Sequence, residues 1–134
     1  MRIQFDNASS EIEYPIDSRT VKRVLTHATP EQVLSRISRI RFGCNRSTTQ
    51  EARIIGRGAT YEIRINFCLV RSRSRMLSSN RSWLGPVEEC GGVVDKGARE
   101  VLWSPESARR YAVFLLMHEV GHAVYSDEMG RKFL

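Results

Sequence analysis

Two of the chain's three histidines stand four residues apart in "MHEVGHAVYS", Met117 to Ser126, with Glu119 directly after the first. On a helix, residues four apart lie one turn above each other on the same face, so His118 and His122 would turn two imidazoles toward a common point. Two neutral imidazole nitrogens on a rigid element suit a zinc ion about 2 Å from each, and a glutamate beside the first histidine reaches a water on that ion from the side. Zinc brings the pKa of such a water toward neutrality and polarises a carbonyl. Glu119 would take the proton and later deliver it to a leaving amine. The alternative is a packed helix whose histidines serve burial or surface hydrogen bonds.

The elements that must position this group can be read outward from it. Ser104 is a good N-cap, Pro105 fits the first helical position and Glu106 complements the helix dipole, which predicts a helix from Pro105 to about Tyr125. Val113, Met117, Val120 and Val124 recur at helical spacing as an apolar stripe, with Ala112, Leu116 and Ala123 beside it, and that stripe is expected to be core. His118 and His122 lie on another face, close to the line of Tyr111, Leu115 and Tyr125. Upstream, Thr20 to Thr26 and Pro30 to Arg39 are expected to form one or two short helices. "EARIIGRGATYEIRINFCLV" predicts two strands joined near Gly56 to Gly58. In the second, Tyr61, Ile63, Ile65, Phe67 and Leu69 face one way and Glu62, Arg64, Asn66 and Cys68 the other, as in a half-buried antiparallel strand. The Ser-, Gly- and Pro-rich stretch after it is expected to be a long excursion with short strands near Val93-Val94 and Glu100 to Trp103, anchored by Trp83 and Trp103.

With 134 residues the chain is expected to be a single domain spanning 1–134. It has no apolar run near eighteen residues and no secretory signal in "MRIQFDNASS", so neither a membrane span nor a leader is expected. Cys44, Cys68 and Cys90 are an odd number without C-x-x-C spacing, which suits a reducing, cytoplasmic setting. The net charge of +6 is clearest in "VRSRSRMLSSNR". There Arg71, Arg73, Arg75 and Arg81 could meet the phosphates of nucleic acid or could simply form a solvated loop. No recognition helix, zinc finger or RNA-binding signature accompanies them.

The flanks sharpen the motif. "LLMHEVGHAV" has uncharged residues at Leu116, Val120, Gly121 and Ala123 and a hydrophobic one at Val124, and it resembles the zincin metallopeptidases; Leu115, where their pattern more often has Val or Thr, departs mildly. The resemblance implies a compact zincin-like α+β fold, a short mixed or antiparallel sheet packed against a C-terminal active-site helix. It implies Zn2+ held by His118 and His122, Glu119 as general base, and a peptide or protein substrate lying along a strand for which Tyr61 to Val70 is the candidate.

The third ligand stays open. Only twelve residues follow His122, too few for the second helix that supplies it in the glutamate class of zincins, unless the chain continues. In metzincins it stands six residues after the second histidine, here Glu128, with Asp127 beside it, but Tyr125 replaces their turning glycine. The helix would then have to end near Ser126. Glu88-x-Cys90 resembles the ligand stretch of peptide deformylases, which makes Cys90 a third choice. His27 would need a tertiary approach and is expected to be an ordinary histidine. Tyr125 could donate to an oxyanion or to substrate. The contrasting function is a non-catalytic binding or regulatory module on the same scaffold, for which the basic surface would offer nucleic acid as a partner.

Overall fold

A computed structural model describes residues 1–6, 9–44, 50–76 and 84–128, with Glu128 described by its backbone alone. In chain order the elements are β1 (Arg2–Phe5), β2 (Ile12–Glu13), α1 (Ser18–Ala28), α2 (Glu31–Leu34), β3 (Ile37–Phe42), β4 (Ala52–Arg57) and β5 (Thr60–Ile65). There follow β6 (Leu69–Val70), β7 (Arg73–Arg75), α3 (Leu84–Cys90), β8 (Val93–Asp95), β9 (Glu100–Leu102) and α4 (Pro105–Glu128). The fold is α+β, with the long C-terminal helix packed on sheet.

Two sheets form. A four-stranded mixed sheet has the order β1-β3-β5-β4, with β1, β3 and β5 parallel and β4 antiparallel at the edge. A five-stranded antiparallel sheet has the order β2-β6-β7-β9-β8. The expected alternation after Thr60 is present: Tyr61, Ile63, Ile65, Phe67 and Leu69 are all buried. Gly58, at φ +63°, makes the tight turn between β4 and β5 that a side chain would strain. However, the strand ends at Ile65, with Leu69–Val70 forming β6 of the other sheet, and β5 is not simply antiparallel, because β3 pairs with it in parallel on its other side.

The first helix is longer than Thr20–Thr26 and is capped by Asp17, whose carboxylate accepts from Thr20 N at 2.7 Å. The helix expected over Pro30–Arg39 stops at Leu34, and Ile37 to Arg39 belongs to β3. Val33, Ile37 and Ile40 are spaced by four and three, which imitates a helical stripe. The pairing of β3 with β5 shifts register between Ile37 and Arg39, so this irregularity in the strand supplies the three-residue step. The excursion holds the two short strands expected of it, β8 and β9, and also β7 and the short helix α3. Trp103 is buried as an anchor, donating through Nε1 to Ser74 Oγ at 2.8 Å; Trp83 lies outside the described residues.

Helix α4 begins where Ser104 predicts. Ser107 N donates to Ser104 Oγ at 3.1 Å and Ser104 N donates to Ser107 Oγ at 2.9 Å, a reciprocal cap with serine in the place usually held by Glu or Gln. Its most deeply buried line is Ala108, Ala112, Leu115, Leu116, Val120 and Ala123. The expected stripe is thus displaced around the helix: Val113, Met117 and Val124 pack at the margin of the core, half-buried. A second correction concerns the far end, where the helix runs on through Glu128 instead of ending near Tyr125. Among the described residues, no helix is long and apolar enough to cross a membrane.

Ser104→Ala is expected to cost about 1 kcal/mol by leaving first-turn N–H groups without their acceptor, read as a lower midpoint in chemical denaturation.

Candidate metal centre

Around α4 the three motif residues divide by burial. Glu119 is 5% exposed, whereas His118 and His122 are exposed on the flank of the helix. Their rings stand one turn apart, centroids 4.9 Å from each other and planes at 88°. One ligand atom from each of His118, Glu119 and His122 lies within 4.8 Å of the others, the only such group of three or more among the described residues. One tetrahedral ion bound at about 2.1 Å to two imidazoles sets their nitrogens roughly 3.4 Å apart, so the group would close by small side-chain rotations around an ion, and its donor types suit a borderline-soft divalent metal such as zinc.

The electrostatics favour the ligand forms. Burial, and then the neighbouring His122, hold the His118 pKa below its ordinary value, which keeps the imidazole neutral and able to bind metal. Burial pushes the Glu119 carboxyl up, with His122 partly opposing it. A carboxylate moved toward neutrality in this way is a better proton acceptor than an exposed one.

Below the histidines the same side of the helix is aromatic. Phe114 lies 6.0 Å from the His118 ring and 5.9 Å from Tyr111, which stacks on Trp103 at 5.0 Å, with Phe67 edge-on to both. This packing fixes the floor from which His118 projects. Tyr111 donates its hydroxyl to Glu51 at 2.5 Å. Glu51 was not singled out by the sequence: nothing in "QEARIIGR" marks it, although Tyr111, two turns before His118, was placed near the histidine line.

The remaining candidates are dispersed. Asp127 pairs with Arg36 at 2.8 Å, and in a continuous helix its side chain leaves about 140° around from His122. Arg36 also lies 4.8 Å from the Tyr61 ring and donates to Ala59 O, so this pair ties the end of α4 to the β4–β5 turn. Glu128 continues the helix, and its side chain lies outside the described residues. The Cys90 carbonyl accepts from Arg110, which places Cys90 by the first half of α4, and burial raises its thiol pKa. Arg110 itself is about 12 Å along the axis from His118. His27 is exposed on α1. Tyr125 is 56% exposed one turn beyond His122, on the same flank.

The expected substrate strand is corrected. Within Tyr61–Val70, β5 is covered by β3 and β4, and β6 by β2 and β7, so neither has a free edge for a peptide. Among the described residues the edges of the four-stranded sheet are β1 and β4, and Ile54 on β4 packs against the cluster that contains Ala123 of α4. No protein-family profile, curated protein or solved structure matches the chain.

Glu51 generates a pH prediction. Burial pushes its carboxyl up from 4.5 to about 7, with the Tyr111 bond pulling the other way. The folded chain therefore holds this proton more tightly than the unfolded chain. Its contribution is fully present below pH 4.5 and is lost as pH rises to about 7. The loss is on the order of 3 kcal/mol. Glu51→Gln keeps an acceptor for Tyr111, so its thermal melts are expected to vary less between mildly acidic and mildly alkaline buffer than those of wild type, and to lie higher at the alkaline end.

Proposed function

We propose that this protein is a zinc-dependent peptidase of the zincin type, with His118 and His122 as zinc ligands and Glu119 as general base. The observation that carries this reading is the convergence of the three side chains on one flank of α4, two exposed imidazoles beside a buried carboxylate. When bound, zinc supplies a Lewis acid for the scissile carbonyl and acidifies the attacking water. Glu119 would serve as the proton acceptor for the attacking water and as donor to the departing amine, and its raised proton affinity suits both roles. An extended peptide or protein segment pairs with the free edge of β4, which replaces Tyr61 to Val70 as the substrate strand. Tyr125, exposed one turn past His122, stands where it can donate to the substrate.

The cytoplasmic address rests on Cys44, Cys68 and Cys90, none of which forms a disulfide. A second reading, a metal-binding module without hydrolytic activity, is favoured by one observation: among the described residues no further side chain joins His118, Glu119 and His122.

Metal content and hydrolysis separate the two. Zinc is expected at about one per chain, lost in His118→Ala and weakened in whichever of Glu128→Ala, Asp127→Ala and Cys90→Ala removes a ligand. Glu119→Gln is expected to retain zinc and lower hydrolysis of a denatured protein substrate by roughly 10²- to 10⁴-fold. Zinc retained with no hydrolysis by wild type supports the binding module; no uptake of zinc on titration sinks both readings.

A further inference from the structure

The face of the four-stranded sheet turned away from the buried core is built largely from arginine. Pairing places Gln4, Arg41, Arg64 and Arg53 in one row across β1, β3, β5 and β4, and Arg2, Arg39, Glu62 and Ile55 in another. Arg57 ends β4 beside them. Neighbouring strands are about 4.8 Å apart, so Arg41, Arg64 and Arg53 stand side by side, an arrangement whose mutual repulsion has to be offset. Glu62 does much of this. It is only 2% exposed and receives Arg39 and, at 2.8 Å, Arg64, with Arg57 at 3.6 Å. Burial pulls its pKa up, but the bonds from Arg39 and Arg64 outweigh that and hold it below the ordinary value. Asp6 takes Arg41 at 2.9 Å. Six guanidiniums thus face two carboxylates.

We propose that this sheet face binds the phosphate backbone of nucleic acid, independently of the metal centre. Arg41 and Arg64 each donate through Nε to a carboxylate, at 2.9 Å to Asp6 and 2.8 Å to Glu62. A guanidinium anchored along one edge presents its remaining N–H groups in a fixed fork, the geometry that matches phosphate. Ile55 is the sole apolar side chain in the two rows, which leaves no wedge for a bilayer, and no aromatic side chain stands in them to stack bases. Binding is therefore to backbone charge, without sequence readout. The arginine cluster after Val70 is a weaker site. Arg71 and Ser72 form the tight β6–β7 turn at φ +52° and +63°, Arg73 is held by Asp95 at 3.3 Å and Glu100 at 3.2 Å, and Arg81 lies outside the described residues.

The test is fluorescence anisotropy of a labelled DNA duplex of arbitrary sequence, titrated with the full chain over a salt series. Wild type is expected to bind with a log–log salt slope that Arg2→Gln/Arg41→Gln/Arg53→Gln reduces by about 0.9 per lost contact, weakening binding tenfold or more at low salt. Arg73→Gln/Arg75→Gln is expected to leave binding unchanged. Should the triple variant fail to give the wild-type circular dichroism, the pair Arg53→Gln and Arg53→Lys decides, with only the first weakening. No duplex binding at low salt, equal binding by the charge-neutralised variants, loss in the Arg73/Arg75 variant instead, or binding to phosphatidylserine vesicles but not to the duplex would each overturn the proposal.

Discussion

The rotational setting of one 24-residue helix governs the rest of the site. Ala108, Ala112, Leu115, Leu116, Val120 and Ala123 are buried to 1% exposure or less, and together they leave α4 no freedom to turn. Each of the two buried leucines contributes roughly 1.5–3 kcal/mol, so a rotation of one residue step would forfeit a large share of a typical domain's stability. With that line fixed inward, the 100° step of the helix puts Glu119 at the edge of the core and leaves its two histidine neighbours on the open flank. Both ends are held separately, by Ser104 at the start and by Arg36 on Asp127 near the finish. The placement of both histidines is thus set by a buried line that contains neither of them.

What was legible in the sequence had a clean local period. The strand after Thr60 alternates without interruption, and α4 opens on Ser104-Pro105-Glu106, so both elements can be read directly. Elements that break the period were misread or missed. The irregular step in β3 disguises a strand as a continuing helix. Strands as short as β2 and β7 carry too few residues to show any pattern, and they exist because the five-stranded sheet pairs them. The motif gave His118, Glu119 and His122 as a group. It could not reveal that Asp127 answers to Arg36, ninety-one residues earlier, or that Glu51 meets Tyr111 across sixty. Those pairings arise from tertiary approach, which no local spacing encodes.

The four-stranded sheet serves both of its faces with one alternation. Ile63 and Ile65 point into the core while Glu62 and Arg64, alternating with them, point outward. The buried Glu62 is an exception to the usual avoidance of interior carboxylates, and its surrounding guanidiniums are what make it tolerable. A strand carrying apolar residues on one side and a charge network on the other has its register pinned twice, since a slip of one residue would bury arginine and strand the isoleucines in water.

The open edge of β4 has a consequence for the protein's own solution behaviour. A bare strand edge is a template for a second copy of itself as readily as for any other chain, and unguarded edges lead to self-association. On β4 the outward positions are Arg53, Ile55 and Arg57. Two such edges brought together antiparallel would set arginine against or next to arginine, with only Ile55 to attract. Like charges facing across a strand pair work against that union, so the arginines of β4 guard its edge against pairing with its own copy.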